Sequence, residues 1–441
     1  MSSNTFNSRR SFLKTSGLLA AAPAFVPNHV FAAPPSDKIV VGCVGLGWRG
    51  SGLMRDFFRK KNVEIAAICD LDLPFLLHAQ KFLDDQGELD REYIKGDGAQ
   101  MERYPMPENA VDAYLDYRNM IERKDIDAVV SAVPDHWHAK VYIDSMNAGK
   151  DVYGEKPMTL TIKQGRAVSD TAKRTGRVFQ TGSQQRSDSK FRQACEYVRN
   201  GRIGKITHVD VGVGGAPQRD PVPNEPVPAG FDWDRWLGPA PWAEYNPLRC
   251  HVEFRWFFDY SGGMVTDWGA HHLDITQWGL GMDETGPVAV EGTAETKPGA
   301  FNTFTSFRFK FTYANGVIVN FGNGLKDGVT FYGDKGNIWC NRGKNSSDPE
   351  GLFDKPLTDS DIRLYESNDH IQDFLNCVKT RENPICHAEI GHRSVSVCHL
   401  ANICGWTGES LKWDPKKETF TNSSKANQHL DREPRAPYSY L

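Results

Sequence analysis

The chain has 441 residues with an ordinary globular composition, 39% hydrophobic and 24% charged, and its formal net charge is −4. This length predicts two domains. The charge balance excludes a general attraction to nucleic acid or to anionic membranes, so neither is a favoured partner.

The first 32 residues are predicted to be an export signal. The segment "NSRRSFLKTSGLLAAAPAFVPNHVFAAPP" has a basic start, a short apolar stretch and then small residues. The apolar stretch is too short to cross a bilayer core of ~30 Å, so no membrane span is predicted. The pair Arg9 and Arg10 resembles the twin-arginine (Tat) export consensus, with cleavage after Ala32, the Tat machinery as a partner and a periplasmic location. The alternative is a disordered basic N-terminus.

The cysteines predict folding under reducing conditions. There are nine, an odd number, and none stands in a Cys-x-x-Cys pair. Cys43 and Cys69 lie inside apolar runs, where a thiol packs as a small hydrophobic group. A disulfide scaffold is therefore not expected.

From Lys38 the chain alternates apolar strands with helices. The runs "KIVVGCVGLG", "VEIAAICDLD" and "IDAVVSAVP" are strand-like, and helical segments separate them. This order is typical of an α/β fold with a doubly wound parallel sheet. We predict a nucleotide-binding domain over residues 37–158.

The pattern then changes towards antiparallel strands. The run "TFTSFRFKFTYANGVIVNFGNG" alternates with period two on either side of a turn at Asn315 and Gly316. We predict a C-terminal α+β domain with an open, mostly antiparallel sheet over residues 159–414 and a helix over residues 389–407. The polar tail, residues 415–441, is expected to lie along the surface or to be disordered.

A glycine-rich turn follows the first strand. "GLGWRG" places Gly45, Gly47 and Gly50 in the G-x-G-x-x-G spacing, between an apolar strand and a helix. Such glycines allow a tight turn and a close approach of backbone N–H groups to a pyrophosphate. Asp70 ends the next strand, where it can accept hydrogen bonds from ribose hydroxyls, and Asp72 adds a second charge that disfavours the 2′-phosphate of NADP. NAD is therefore the predicted cofactor, and a flavodoxin-like fold without a dinucleotide is the alternative.

A lysine is predicted at the ligand-binding edge of the first sheet. "DVYGEKPMT" places Glu155 and Lys156 at the carboxyl end of a strand, where ligands bind in open parallel sheets. The proline that follows restricts Lys156 to an extended backbone. A single lysine is more often a solvated charge, so its role depends on a second element.

That second element is an acid and an imidazole in "GGMVTDWGAHHLD". A helix over residues 264–278 would place Asp267 and His271 on one face, with His272 about 100° away. A carboxylate beside an imidazole fixes its tautomer and raises its basicity, as a general base requires. The alternative is a structural pair without catalytic function.

These motifs together resemble a known family. "VGLGWRG", "ICDLD", "VPDHWHAKVYIDSMNAGKDVYGEKPM", "QTGSQQRS" and "GGMVTDWGAHHLD" are similar to the Gfo/Idh/MocA oxidoreductases, in particular to an exported branch with twin-arginine leaders. The resemblance covers residues 38–414. It implies a Rossmann domain joined to an open-sheet domain that often forms an oligomer interface, so a homodimer or homotetramer is expected. It also implies sugars, cyclitols or related polyols as substrates.

The resemblance implies a site in which Lys156, Asp267 and His271 form a polar triad, and it implies no metal. The predicted ligand contacts are, for the cofactor, Gly45, Gly47, Trp48, Arg49, Gly50, Asp70, Pro134, His138, Glu155 and Lys156, and, for the substrate, Arg186, His271 and His272.

The predicted reaction moves a hydride between a tightly bound NAD(P) and a hydroxyl or keto carbon of a sugar, cyclitol or glycoside. His271 is predicted as the base, Asp267 as the group that orients it, and Lys156 as the charge that stabilises the oxygen. Lys156 as the base remains open at this point. The alternative function is redox-neutral: a glycoside hydrolase or epimerase that uses bound NAD and a transient keto-sugar.

Overall fold

The computed structural model describes residues 38–84 and 111–440. The predicted export signal lies outside the described residues. Within the described part of the chain, no helix has the length and apolar character needed to cross a membrane.

The first half of the chain forms the predicted parallel sheet. Its six strands have the order β3-β2-β1-β4-β5-β6, and every pairing is parallel. The strands are β1 (Ile39–Val44), β2 (Val63–Cys69), β3 (Asp112–Tyr114), β4 (Ala128–Ser131), β5 (Asp151–Gly154) and β6 (Phe179–Thr181). The helices between them are α1 (Trp48–Phe58), α2 (Leu73–Asp84), α3 (Tyr117–Ile121), α4 (Asp135–Asn147) and α5 (Ile162–Thr175).

Burial on both faces explains the near-continuous apolar strands. All residues of β4 and β5 are buried, and separate apolar clusters cover the two faces of the sheet. The sheet extends past residue 158, where we predicted its domain to end, because α5 crosses over and β6 pairs with β5. The sequence pattern predicts a helix and then a strand in this segment, and the structure places that strand, β6, at the edge of the parallel sheet.

The second half forms the predicted open, mostly antiparallel sheet. It has nine strands in the order β13-β12-β11-β7-β10-β9-β8-β14-β15, and only β7 and β10 pair in parallel. The strands are β7 (Ile206–Val213), β8 (Ala289–Glu295), β9 (Ser306–Thr312), β10 (Ile318–Asn323), β11 (Gly328–Gly333), β12 (Gly336–Asn341), β13 (Lys344–Asp348), β14 (Leu411–Asp414) and β15 (Thr419–Phe420). The helices are α6 (Ser189–Arg199), α7 (Trp233–Leu237), α8 (Met264–Asp267), α9 (Gly269–Leu280), α10 (His370–Thr380), α11 (Ala388–Thr407) and α12 (Ser424–Asn427).

One face of this sheet is apolar and the other polar. In β9, Phe307, Phe309 and Phe311 are buried while Arg308 and Lys310 are exposed, which is the period-two pattern read from the sequence. The buried face packs against α6, α9 and α11. The polar face is left to solvent in the single chain.

The C-terminal region packs against the first sheet. Phe374 and Leu375 of α10 lie in the apolar cluster on one face of that sheet, and Tyr438 and Tyr440 lie in the cluster on the other face. The segment over 415–440 is therefore packed against the rest of the fold. Isolated aromatic residues anchor it, and they leave no periodic pattern in the sequence.

Arg186 is part of the core and does not line a cleft, so its predicted substrate contact was wrong. Its guanidinium is 1% exposed, donates to both carboxylate oxygens of Asp274 at 2.8 Å and 3.0 Å, and reaches Asp283 at 2.7 Å. Ser394 also donates to Asp274 at 2.6 Å. Such a buried pair costs free energy when one partner is removed, because the other charge is left uncompensated.

We expect Arg186→Met to lower the free energy of unfolding by ~3–5 kcal/mol, because Asp274 would remain buried without its cation. Arg59→Met is the matched control: Arg59 pairs with Asp56 at an exposed site, and its loss should cost less than ~1 kcal/mol. Urea denaturation followed by circular dichroism measures both. Equal, small shifts in the two variants would contradict the assignment of Arg186 to the core.

Candidate active site

A cleft of about 1600 Å³ runs along the carboxyl ends of the strands of the first sheet. The turns after β1, β2, β4 and β5 form its floor, and residues of the second half of the chain form its opposite wall. This is the edge at which open parallel sheets bind ligands. Of the predicted site residues, the cleft is lined by Gly45, Gly47, Trp48, Arg49, Asp70, Pro134, His138, Glu155, Lys156, Asp267 and His271.

The three glycines of the turn have different roles. Gly45 has a φ of +79°, and a Cβ on it would lie 2.7 Å from the backbone of Ala132. A Cβ on Gly50 would lie 1.7 Å from the carbonyl oxygen of Gly45. A Cβ on Gly47 would meet only the ring of Phe75, at 4.0 Å. Gly45 and Gly50 are therefore required by the turn itself, whereas Gly47 leaves open space for a ligand.

The turn ends at a helix N-terminus with free donor capacity. Helix α1 begins at Trp48, its N-cap Gly47 provides no side-chain acceptor, and its first turn has no acidic residue. Backbone N–H groups at such an end attract anions such as phosphate. The Trp48 side chain is 68% exposed at the mouth of the cleft.

Asp70 stabilises the turn from the end of β2. One carboxylate oxygen accepts from the backbone N–H of Leu46 at 2.5 Å, and the other accepts from Asp72 at 2.9 Å. A carboxylate has further lone pairs, so these bonds leave it free to accept from a ligand hydroxyl. Burial, and then the charge of Asp70, raises the pKa of Asp72 to about 7. Burial also raises the pKa of Asp70, and the hydrogen bonds from the backbone N–H groups of Leu46 and Asp72 act against that rise.

A segment of the second half of the chain, residues 228–236, covers this end of the cleft, and we call it the clasp. Gly230 accepts a hydrogen bond from the N–H of Leu73 at 3.0 Å, and Asp232 donates to the carbonyl of Leu71 at 3.0 Å. The aromatic side chains of the clasp are more than nine-tenths buried. The loop after β2 is thus held between the first sheet and the clasp.

Lys156 and Asp267 meet in the cleft, as the family resemblance implied. The Nζ of Lys156 donates to the carboxylate of Asp267 at 2.6 Å and to its backbone carbonyl at 3.1 Å. Arg255 donates to the other carboxylate oxygen at 3.0 Å. Burial alone would raise the pKa of Asp267, but the charges of Lys156 and Arg255 hold it below its ordinary value.

The single helix expected over 264–278 is interrupted. Helix α8 ends at Asp267 and α9 begins at Gly269, with Trp268 between them. Gly269 lowers helix propensity at this point and allows its backbone to pack against Phe321. The carboxylate of Asp267 is held by the two cations, so the structure corrects the prediction that Asp267 orients His271.

His271 lies in the cleft as a neutral side chain. It is 5% exposed, and its Nδ1 has no hydrogen-bond partner among the described residues. Burial, followed by the charges of Lys156 and Arg342, lowers its pKa well below the usual value. This Nδ1 is shielded from solvent, so the capacity of His271 to accept a proton from a ligand rests on the position of its neutral imidazole along the cleft.

Glu155 and Arg49 form a second pair beside Lys156. Arg49 Nε donates to Glu155 at 2.7 Å, and its Nη2 donates to the Gln184 side chain at 3.0 Å. The backbone N–H of Lys156 donates to the same carboxylate at 3.2 Å. The glycine turn and the turn after β5 are thereby joined by one ion pair.

His138 and Pro134 shape the floor of the cleft. Pro134 is the N-cap of α4, and the ring nitrogens of His138 lie 2.7 Å from the carbonyl of Pro157 and 2.9 Å from that of Val133. Burial lowers the pKa of His138 to about 4 despite these hydrogen bonds. As a neutral side chain, whose imidazole has a single N–H, His138 donates to one of these two carbonyls and lies beside the other.

His272 is not in the cleft, so its predicted substrate contact was wrong. Its ring is fully buried, and its Nδ1 lies 2.9 Å from the carbonyl of Gly212. The helical rotation of about 100° from His271 places it against β7. No cluster of three potential metal-ligating side chains occurs in residues 38–84 and 111–440.

Three cleft residues were missed by the sequence analysis. Gln184 stands in the quoted motif "QTGSQQRS", which was the available signal. Asp135 is buried and accepts from Ser261 at 2.5 Å, and burial raises its pKa to about 7. Arg342 lies in the turn between β12 and β13, and no motif marks it.

Comparison with known proteins supports this description. Residues 39–183 match the model of an oxidoreductase family NAD-binding Rossmann fold, and residues 213–440 match the model of an oxidoreductase family C-terminal alpha/beta domain. A glycosyl hydrolase family 109 protein of Shewanella pealeana is 30% identical over 218 residues, which are 45% of this chain and 44% of that protein. The match thus spans less than half the length of these curated relatives.

Solved structures share the fold. An aldose-aldose oxidoreductase from Caulobacter crescentus, complexed with glycerol, is 19% identical with a TM-score of 0.60, over 85% of this chain and 99% of that one. The WlbA dehydrogenase from Bordetella pertussis, in complex with NADH and UDP-GlcNAcA, is 16% identical with a TM-score of 0.60, over 86% and 99%. With both family models matched in order over most of its length, the chain belongs to the Gfo/Idh/MocA family of NAD-binding oxidoreductases.

Proposed function

We propose that the protein transfers a hydride between a retained NAD and a hydroxyl or keto carbon of a sugar, cyclitol or glycoside. The observation that carries this proposal is the group formed by Lys156, Asp267 and His271 at the carboxyl ends of the first sheet. The group lines the same cleft as the glycine turn. A proton acceptor and a fixed positive charge are the protein groups that oxidation of a CH–OH carbon requires.

The residues of the turn fit a dinucleotide. The open space at Gly47 and the uncapped start of α1 suit a pyrophosphate, and Asp70 suits ribose hydroxyls. Asp70 favours NAD over NADP, since a carboxylate repels a 2′-phosphate. When bound, the nicotinamide accepts or returns the hydride. The clasp over the adenosine end supports tight retention of the cofactor.

The polar side chains of the cleft have different roles in the proposed reaction. His271, neutral and unpartnered, takes the hydroxyl proton. Lys156, with its ammonium fixed at 2.6 Å from Asp267, stabilises the oxygen from which the proton leaves. Because the Nζ of Lys156 already donates to the carboxylate and to the backbone carbonyl of Asp267, its geometry supports His271 over Lys156 as the base. Asp267 positions Lys156 and Arg255.

A second candidate is a redox-neutral glycoside hydrolase or epimerase. Oxidation at one ring carbon makes the neighbouring C–H acidic, so a glycosidic group can be eliminated, or a centre inverted, before the hydride returns. The clasp favours this reading because such a cycle needs no exchange of cofactor. The curated relatives, among them an alpha-N-acetylgalactosaminidase of Shewanella oneidensis, support the same candidate.

We also propose export through the Tat pathway to the periplasm, with the cofactor bound before export. All nine cysteines are buried free thiols, which suits folding in a reducing compartment. The polar open face of the nine-stranded sheet is the proposed interface of a homo-oligomer.

We expect Gly47→Val to strip the nucleotide while leaving the fold intact, because the new side chain meets little protein and occupies the proposed pyrophosphate space. Wild-type protein, denatured and analysed by mass spectrometry, should release about one NAD(H) per chain, and the variant less than about a tenth of that. Gly214→Val, at an open position outside the cleft, is the control. Equal nucleotide content in both variants would contradict the cofactor site.

We expect Arg235→Gln to speed nucleotide loss about tenfold, because the clasp loses the hydrogen bond from Arg235 to the carbonyl of Leu115. Stopped-flow dilution of NADH-loaded protein into excess NAD measures the rate. Arg219→Gln removes a neighbouring charge that pairs with Glu253 away from the cleft, and its rate should match wild type. A wild-type rate for Arg235→Gln would show that the clasp does not retain the cofactor.

We expect Lys156→Met to lower kcat by about 10²–10³-fold with the NAD content unchanged, because the developing oxyanion loses its fixed charge. Lys140→Met is the control, since Lys140 has the same 17% exposure and pairs with Asp144 on α4. Sugar consumption is followed by chromatography on a carbohydrate panel. Full turnover in Lys156→Met would refute the role of Lys156 in stabilising the developing oxyanion.

Absorbance at 340 nm in the same assays separates the two candidates. A dehydrogenase accumulates one equivalent of NADH and stops until a second substrate reoxidises it. A redox-neutral enzyme consumes many equivalents of substrate with no net change at 340 nm. Absence of both signals across the panel would reject both candidates.

A further inference from the structure

The cleft around His271 has more basic than acidic side chains. The basic ones are Arg49, Lys156, Arg255 and Arg342, and the acidic ones are Asp135, Glu155 and Asp267. Glu155 pairs with Arg49, and Asp267 pairs with both Lys156 and Arg255. Asp135 accepts from Ser261. Across the whole cleft the basic and acidic side chains are equal in number, seven of each, but one of the four basic side chains near His271 has no carboxylate within ion-pair distance among the described residues.

That side chain is Arg342. Its guanidinium carbon lies 4.4 Å from the centre of the Trp268 ring, and Trp268 separates Asp267 from α9, which carries His271. Among the described residues, Arg342 has no carboxylate within ion-pair distance. Its Nε donates at 3.2 Å to the side-chain oxygen of Gln185, in the amide orientation that satisfies both groups, and its Nη groups remain for a planar or tetrahedral oxyanion.

The acids nearest to the turn that carries Arg342 are occupied elsewhere. Asp188 accepts from the backbone N–H of Gly343 at 2.9 Å, and Asp327 accepts from the Asn341 side chain at 2.9 Å. Both bonds stabilise the turn between β12 and β13, and neither acid lines the cleft. The turn is therefore built to hold Arg342 at the cleft, and the charge of Arg342 is left for a ligand.

We propose that the substrate is a sugar that carries an anionic substituent, a carboxylate or a sulfate ester, and that Arg342 binds this group. This inference rests on the proposed function and names its substrate class. Arg342 is exposed and lines the cleft, so it needs no compensating charge there, but an anionic sugar gains a charge-assisted hydrogen bond from it that a neutral sugar does not.

An anionic substituent would also assist the proposed base. Burial, and then the nearby cations, lower the pKa of His271. An anion on Arg342 offsets one of those cations and so raises the proton affinity of the imidazole. Substrate charge then contributes to the chemistry as well as to binding.

Calorimetric titration of the NAD-loaded protein tests the inference without any turnover. The probes are matched pairs: glucose and glucuronate, galactose and galacturonate, and N-acetylglucosamine and its 6-sulfate. We expect the anionic member of at least one pair to bind about ten times more tightly or better, and this preference to fall with added salt. The pair that responds identifies carboxylate or sulfate as the group.

Arg342→Gln should abolish the preference and leave the nucleotide content unchanged. Lys344→Gln removes an exposed charge two residues away and should keep the preference. Equal or weaker binding of the anionic members in wild type, or a preference that survives in Arg342→Gln, would overturn the inference. The titration measures binding alone, so its result is independent of turnover. A preference for anionic sugars without hydride transfer would reject the proposed function and retain the inference. Turnover of neutral sugars only would retain the proposed function and reject the inference.

Discussion

One buried carboxylate joins the two halves of the site. Asp267 ends a short helix of the second half, and it receives Lys156 from the strand-end turn after β5 and Arg255 from the segment before α8. Burial alone would raise the pKa of Asp267, and the two cations keep it ionised. A buried charge without its partner is strongly destabilising, so the position of Lys156 depends on the whole fold.

The same interdependence extends beyond the cleft. Helix α10 covers one face of the first sheet, the terminal tyrosines pack on the other face, and the clasp holds the loop after β2. Opening the two halves by a hinge would break the pair of Lys156 and Asp267 and expose these apolar contacts. Local release of the clasp disturbs far less surface. Slow exchange of the cofactor through the clasp therefore suits an enzyme that regenerates its cofactor in place.

Short sequence patterns predicted those elements of the protein whose structure depends on neighbouring residues. The glycine spacing, the buried parallel strands and the position of Lys156 at a strand end follow from short segments with a clear period or turn. Arg186 was misplaced because its partner Asp274 lies 88 residues away, and a charged side chain carries no local sign that it will be neutralised in the core. The break at Trp268 was missed because the spacing of Asp267 and His271 also fits a continuous helix, and the residues on both sides of the break are buried all round, so no change of pattern marks it.

Arg342 shows most clearly what could not be predicted from the sequence. It stands in a turn between two strands of the second sheet, and only the path of the whole chain brings it beside the Trp268 ring. Charged residues in turns are common on solvated surfaces, so composition and spacing give such a residue no weight. Its significance comes from its place in the cleft without a carboxylate partner among the described residues, which only the positions of residues from both sheets reveal.

In the proposed reaction, the cations of the cleft have two opposing effects. They stabilise an oxygen that loses its proton, and they weaken the imidazole that accepts that proton. The structure separates these effects in space, because Lys156 is fixed by Asp267 whereas Arg342 has no acidic partner among the described residues. An anionic substituent that binds Arg342 strengthens His271 and leaves Lys156 on the reacting oxygen. Since His271 is buried, the proton it takes is shielded from solvent and can return to the same oxygen, which is the proton path that a redox-neutral cycle requires.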